Sequence, residues 1–160
     1  MKKGKVSGWS LLVLLGIFIF MFNSIRGTIE NKKITDSINN IGDTVTLGNF
    51  DYKVNNFEIR NSDDMEDRND LIVSVDVKSN SNKSESTSLD PFVLIIGEKS
   101  FEADLYRGAN ANAGSNPFNY EPLNPEQTIK GFIVFNISKK QAESKDFKLL
   151  ISETATITLE

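Results

Sequence analysis

Apolar and polar residues follow three successive patterns along this 160-residue chain. Residues 6–25 are almost continuously apolar, residues 26–41 are mostly polar, and residues 42–160 contain short runs in which every second residue is apolar. Alternation with a period of two is typical of strands with one face in a core and the other in water. The pattern therefore predicts a hydrophobic N-terminal segment, a polar spacer and one β-rich domain.

Eight runs have the composition of short strands. In residues 71–78 the odd-numbered positions are apolar and the even-numbered ones, except Ile72, are polar. The alternation in residues 50–59 slips by one position at Asn55-Asn56, which indicates a β-bulge. Residues 92–96 are apolar on both faces, which predicts a central or covered strand. The other predicted strands are residues 43–47, 99–103, 128–137, 147–151 and 154–159; residues 138–146 allow a helical turn, and residues 105–127 form a long Gly/Asn/Pro-rich connection.

Seven or eight short strands without a long amphipathic helix predict an all-β fold, an antiparallel two-sheet β-sandwich. The apolar segment at residues 6–25 is long enough to cross a hydrocarbon core of about 30 Å as a helix. Three lysines in residues 1–5 favour a cytoplasmic N-terminus, which places the C-terminal domain outside the membrane. We expect a cytoplasmic stub (1–5), a signal anchor (6–25), a polar spacer (26–41) and an extracytoplasmic domain (42–160).

A cleaved signal peptide is the alternative to an anchor, since the strictly apolar core of residues 11–22 also suits an h-region. No small-residue cleavage site lies after it, and the chain has no cysteine to accept a lipid. We therefore expect a single-pass protein of the cell membrane, with a secreted form as the alternative.

Composition excludes several functions. The chain has no cysteine and no histidine, so thiolate and imidazole catalysis, disulfides and zinc fingers are ruled out. After residue 27 the chain has 14 basic and 22 acidic residues, a net charge of −8, which disfavours nucleic-acid binding. No pair of carboxylates stands out as a catalytic pair. We predict a protein that is not an enzyme and needs no cofactor.

Two segments carry candidate binding residues. Residues 61–70 are rich in oxygen donors of the kind that Ca²⁺ prefers, although their spacing does not match an EF-hand loop and no glycine is present; a solvated hairpin loop is the alternative. The candidate ligands are Asp63, Asp64, Glu66, Asp67 and Asp70.

The connection at residues 105–127 is longer than most loops of compact domains, and such loops tend to be functional. Its aromatic and arginine residues lie among Gly and Asn, a composition common in binding loops. The alternative is that the aromatic rings close the edge of the sandwich. The candidate binding residues are Tyr106, Arg107, Phe118 and Tyr120.

Three stretches in this order resemble the domain-of-unknown-function 4352 family: GDTVT at residues 42–46, LIVSVDVKSNSNKSES at 71–86 and LNPEQTIKGFIVFNIS at 123–138. The resemblance covers residues 42–152. It implies an immunoglobulin-like sandwich on the bacterial surface, related by fold to a secreted mycobacterial immunoprotective antigen, and it implies no catalytic residues. Family members typically have a glycine after the Asn-Pro turn, where this chain has Glu126.

Together these features favour a surface-tethered binding or accessory module for an envelope or host protein. Two alternatives stay open: a structural spacer or assembly subunit of an envelope complex, and a calcium-responsive surface domain. A protein partner is favoured over a glycan because Trp9, in the apolar segment, is the chain's one tryptophan.

Overall fold

The structure is a computed structural model that describes residues 37–114 and 117–160. The predicted stub (1–5), anchor (6–25) and most of the predicted spacer (26–41) lie outside the described residues. Within the described ranges, no helix is long and apolar enough to cross a membrane.

The described chain is mostly β-structure, as the alternating pattern predicts. Its helices are α1 (Leu105–Ala111) and α2 (Lys139–Ala142), and its strands are β1 (Ser37–Asn40), β2 (Thr44–Leu47), β3 (Phe50–Asn61), β4 (Arg68–Ser79), β5 (Glu85–Ser86), β6 (Phe92–Ile96), β7 (Lys99–Glu102), β8 (Pro122–Leu123), β9 (Thr128–Ser138), β10 (Phe147–Ile151) and β11 (Ala155–Leu159). All eight predicted strands are confirmed; β1, β5 and β8 are additional.

The strands form two main sheets. One has the order β1-β11-β10-β6-β7 and the other the order β2-β3-β4-β9, while β5 and β8 pair separately. Neighbours in both main sheets are antiparallel, except that β1 runs parallel to β11. Strand β6 lies between β10 and β7, which confirms that the run that is apolar on both faces is an inner strand.

The core lies between the two main sheets and is built from the alternating positions. Leu71, Val73 and Val75 of β4 are fully buried, and Val77 is 2% exposed. The facing sheet contributes Leu94, Leu149 and Ile157, which are also fully buried. Burying a side chain of this size stabilises the fold by about 1.5–3 kcal/mol relative to leaving it in water. The predicted β-sandwich is confirmed in this part of the chain.

The predicted bulge in β3 is confirmed. Val54 pairs with Val75 and Asn56 pairs with Ser74, so Asn55 is the extra residue. Its side-chain amide donates a 2.8 Å hydrogen bond to Asp76. The inserted residue restores the phase of the strand, because Phe57 and Ile59 beyond it again pack against the core.

The sandwich begins earlier than the predicted boundary at residue 42. Residues 37–40, assigned above to the polar spacer, form β1 and pair with residues 155–158 of β11. An edge strand needs only one hydrogen-bonded neighbour and can leave its side chains in water, as the 72% exposure of Ile38 illustrates. A strand of this kind carries no alternating pattern, which explains the missed boundary.

The segment at residues 105–127, predicted to be one long connection, is not a loop throughout. It begins with the helix α1. The carboxylate of Asp104 accepts a 2.9 Å hydrogen bond from the backbone N–H of Arg107 and so caps the helix. The helix contains Gly108 and Asn110, which are poor helix formers. Its propensity is too low to be recognised from the sequence, so contacts with the sheet must stabilise it.

The second helix confirms the predicted helical turn. The Ser138 hydroxyl accepts from the backbone N–H of Gln141, whose side chain accepts from the backbone N–H of Ser138. This reciprocal pair is a capping box, and it satisfies two backbone donors that the short helix leaves free.

The turn before β9 explains the departure from the family pattern at Glu126. The backbone N–H of Gln127 donates to the carbonyl of Asn124 at 3.1 Å, which closes a turn with Pro125 in second place. Glu126 comes next with φ of +59°, the conformation that glycine favours at the third position of a type II turn. A salt bridge of 2.6 Å between Glu126 and Lys78 gives the side chain a partner that glycine would lack.

Candidate functional site

A groove of about 420 Å³ lies on the outer face of the four-stranded sheet, between the β3–β4 hairpin and α1. Its apolar floor is formed by Ile72 and Val134, which are paired neighbours on β4 and β9. These residues point away from the core because the adjacent positions, Leu71 and Ile133, point into it. The complete lining is Arg60, Asn61, Asp63, Asp64, Asp70, Ile72, Tyr106, Arg107, Asn110, Ala111 and Val134.

Helix α1 forms one wall of the groove and is fixed to the outer edge of β9. The backbone N–H of Asp104 donates a 2.8 Å hydrogen bond to the carbonyl of Val134. At the other end of the helix, the amide of Asn112 donates to the Phe132 carbonyl at 2.8 Å and accepts from the Phe132 N–H at 2.9 Å. The Asn112 side chain thus replaces a neighbouring strand at this edge, which protects it from pairing with another chain.

Gly131 allows the chain after α1 to cross closely over β9. A Cβ atom at this position would overlap Pro117 and would lie 2.8 Å from the Phe118 ring. Only glycine leaves room for this crossing, so the close approach accounts for a glycine inside a strand.

Arg107 joins α1 to the hairpin. Its Nη1 donates to both carboxylate oxygens of Asp70, at 3.1 and 2.9 Å, and to the Ser62 hydroxyl at 2.8 Å. Its Nη2 donates to Asp64 at 2.5 Å, and its Nε lies 3.5 Å from Asp104. The Arg107 side chain is only 12% exposed, so the guanidinium is largely withdrawn from water and satisfied by these acceptors. We call this set of contacts the Arg107 clamp.

A second layer of hydrogen bonds holds Asp70 in place. The Asn136 amide donates to Asp70 at 2.7 Å, and its oxygen accepts from Arg68 Nε at 2.6 Å. Arg68 Nη2 also donates to the backbone carbonyl of Asn136 at 2.6 Å. Because Asp70 and Asn136 are opposite each other on β4 and β9, the sheet itself sets this geometry.

The charges of the clamp stabilise one another. Hydrogen bonds from Arg107 and then from Ser62 lower the pKa of Asp64 below that of an ordinary aspartate. Burial acts to lower the pKa of Arg107, but its hydrogen bonds to Asp64 and Asp70 outweigh this effect and raise that pKa. Asp64 and Arg107 are therefore both charged at neutral pH.

The acidic candidates in residues 61–70 lie in different surroundings. Asp64 and Asp70 bind Arg107, and Asp63 lines the groove, while Glu66 and Asp67 are exposed and outside the groove lining. Among residues 37–114 and 117–160, no three Asp, Glu, His or Cys side chains are grouped so that they could hold a metal ion. The oxygen donors of this loop are thus used in part to hold the arginine.

The four aromatic and arginine candidates also lie in different parts of the domain. Tyr106 is 75% exposed and lines the groove together with Arg107. Phe118 is fully buried in the core, because the crossing over Gly131 turns it inward, which is where the alternative of rings that close the sandwich edge would place it. Tyr120 is exposed outside the groove, and its hydroxyl donates to Asp90 at 3.1 Å.

Sequence reasoning missed Asp104 and Ser62 of the Arg107 clamp and Asn136 of the second layer that holds Asp70. Asp104 could have been found, because an aspartate three residues before the arginine it contacts is a helix-cap signal. Ser62 and Asn136 carry no local signal, since their roles arise only when strands distant in sequence pair.

Comparisons with known proteins agree with this architecture. A family model described as "Domain of unknown function (DUF4352)" matches residues 39–157. A conserved hypothetical protein from Bacillus anthracis is similar in structure, with a TM-score of 0.59 and 9% identity over 76% of this chain and 95% of that one. The YjhA protein from Bacillus subtilis gives a TM-score of 0.57 and 16% identity, over 77% and 100% of the two chains.

An uncharacterized β-sandwich protein from Clostridium difficile 630 gives a TM-score of 0.55 with 8% identity, over 78% of this chain and 96% of that one. At these identities the likeness is one of fold. No curated protein is significantly similar to this chain in sequence.

Proposed function

The chain belongs to the family described as a domain of unknown function, DUF4352, and on this premise we propose that its β-sandwich is a non-catalytic module that binds a protein partner through the groove beside Arg107. The family assignment expected from residues 42–152 is confirmed by the match over residues 39–157. The family itself specifies no ligand, so the proposal rests on the groove.

The exposed ring of Tyr106 carries the proposal. It is 75% exposed at the rim of a groove with an apolar floor, beside an arginine that is already held in place. Aromatic side chains are enriched in protein interfaces because they bury a large area and lose little conformational entropy. Since the clamp fixes α1 before any partner arrives, little further ordering is needed on binding.

The proposed setting is the outer face of the cytoplasmic membrane. The lysines before the apolar segment favour export of the chain beyond residue 25, so residues 6–25 would anchor the module and the partner would be an envelope or host protein. The absence of histidine and cysteine supports a non-catalytic role. We infer further that the two facing, mainly antiparallel sheets are an immunoglobulin-like sandwich, an arrangement whose loops and edges often carry binding sites.

The test uses the full chain as bait on detergent-solubilised envelope, followed by affinity measurements with each purified partner. Tyr106→Ala removes the exposed ring of the groove. Tyr120→Ala is the matched control, because Tyr120 is 64% exposed outside the groove. We expect at least one partner whose Kd rises about 10-fold or more with the first variant and stays unchanged with the second.

Equal binding of every partner by wild type and Tyr106→Ala would contradict the groove as the binding site. If no partner is retained, the alternative of a structural spacer gains support. Circular dichroism of both variants should match that of the wild type, since both side chains are mostly in solvent.

A further inference from the structure

A second cavity, of about 230 Å³, lies between the two main sheets at the opposite end of β3 and β4 from the hairpin. It shares no residue with the groove beside Arg107. Six of its ten lining residues are aromatic or aliphatic, and the other four are serine or threonine. The lining residues are Phe50, Tyr52, Val77, Ser86, Thr87, Ser88, Pro91, Phe92, Phe118 and Ser152.

Four of these residues form a chain of ring contacts. The Tyr52 and Phe92 ring centroids are 5.7 Å apart with an edge-to-face geometry, and Phe92 and Phe118 are 5.9 Å apart in a similar arrangement. Phe50 extends the row, with its ring 6.2 Å from that of Tyr52. Aromatic rings favour edge-to-face and offset contacts of this kind, so a cavity lined by four of them suits a further aromatic ring.

Tyr52 is the polar group that the fold leaves unused in this cavity. The residue is only 7% exposed, yet its hydroxyl makes no hydrogen bond to another described residue. Among the described residues, Asn69 Oδ1 is the fully enclosed side-chain polar atom without a partner, so the Tyr52 hydroxyl is instead reached by solvent and can exchange water for a polar group of a ligand. The nearby Thr87 hydroxyl, in contrast, already donates to the Pro117 carbonyl at 2.9 Å.

We propose that this cavity binds one six-membered aromatic ring with a polar substituent, and that the Tyr52 hydroxyl hydrogen-bonds that substituent. The volume supports a ligand of this size, since an apolar protein cavity of about 150 Å³ is known to hold benzene. The additional space accommodates the substituent. A phenol-like small molecule and the side chain of a tyrosine in a peptide share this chemistry.

The first measurement is ¹⁹F NMR of 4-fluorophenol with the full chain in lipid nanodiscs, using empty nanodiscs to correct for partition into lipid. We expect line broadening that the chain alone causes and that p-cresol reverses. Fluorobenzene, which lacks the hydroxyl, should bind more weakly than 4-fluorophenol. Absence of binding beyond the empty nanodiscs up to millimolar ligand would overturn the proposal.

Tyr52→Phe tests the hydrogen bond, and Tyr120→Phe is the matched control outside the cavity. Loss of one net hydrogen bond should weaken 4-fluorophenol binding about 5-fold in the first variant and leave fluorobenzene binding unchanged. The control should bind both probes as the wild type does. The role of the hydroxyl would be contradicted if Tyr52→Phe weakened the binding of both probes equally, or of neither.

Methyl NMR spectra locate the ligand without relying on a variant. The Val77 methyl groups line the cavity, whereas those of Val134 line the separate groove. We expect 4-fluorophenol to shift the Val77 signals and to leave the Val134 signals in place; the reverse would overturn the assignment. Comparison of p-cresol with acetyl-Gly-Tyr-Gly-amide then shows whether a free phenol or a peptide side chain is preferred.

Discussion

Replacing Asp70 with asparagine removes one charge from the Arg107 clamp while hardly changing the shape of the side chain. The Asp70 side chain is 16% exposed and that of Arg107 is 12% exposed, so the pair is largely shielded from water. Removing one partner of a fully buried pair destabilises a protein by about 3–5 kcal/mol. Asp64 and Ser62 remain as acceptors for Arg107, so we expect a smaller loss of about 2–3 kcal/mol.

Asp64→Asn is the matched control, because it removes a charge from the same arginine at the surface. The Asp64 side chain is 61% exposed, and surface ion pairs contribute little to stability. Urea unfolding of the full chain, monitored by circular dichroism, should therefore rank Asp70→Asn well below Asp64→Asn in free energy of unfolding. In a double-mutant cycle with Arg107→Met, the Asp70 and Arg107 substitutions should be coupled by more than about 1 kcal/mol.

Either of two results would refute this reasoning. One is an Asp70→Asn loss no larger than that of Asp64→Asn. The other is additivity of the Asp70 and Arg107 substitutions to within about 0.5 kcal/mol, which would mean that the two side chains act independently.

Three further predictions concern other features of the same domain. Gly131→Ala should lower the free energy of unfolding by about 1–3 kcal/mol, since its Cβ would overlap Pro117, whereas Lys130→Ala on the neighbouring exposed position should have little effect in a thermal melt. Burial raises the pKa of Tyr52, so the stability linked to this group is present below the ordinary tyrosine pKa of about 10 and is lost as pH rises through the folded value; Tyr52→Phe should reduce the loss of stability in alkaline urea titrations. The pKa of Asp64 is lowered by Arg107, so its contribution is present above the ordinary aspartate pKa of about 4 and is lost as pH falls through the folded value; Asp64→Asn should flatten the acid limb of the stability curve.

The candidate site was only partly predictable. The sequence marks residues 61–70 and Tyr106-Arg107 as unusual, but it presents them as two unrelated segments with different chemistry. The structure brings them together, because Arg107 binds Asp64 and Asp70, which lie 43 and 37 positions away in sequence. A salt bridge between such distant residues has no local signature, so the sequence does not show that Asp64 and Asp70 share an arginine partner.

The sequence by itself determined the strands, the bulge and the inward faces of the sheets. These features depend on the two-residue period of a strand, which is visible in a run of about five residues such as β11. The polar edge strand β1 has no such period, and the short helix α1 has weak propensity, so both were missed.

Only the tertiary structure decided that β1 forms the sheet edge beside β11, that Phe118 is buried and how the Arg107 clamp forms. Each of these depends on pairing between segments far apart in sequence: β1 with β11, the loop after α1 with Gly131, and α1 with the hairpin. A local pattern fixes how a segment folds because neighbouring residues share one backbone geometry. It cannot fix which distant segment packs against it, because that choice depends on the combined packing of the whole core.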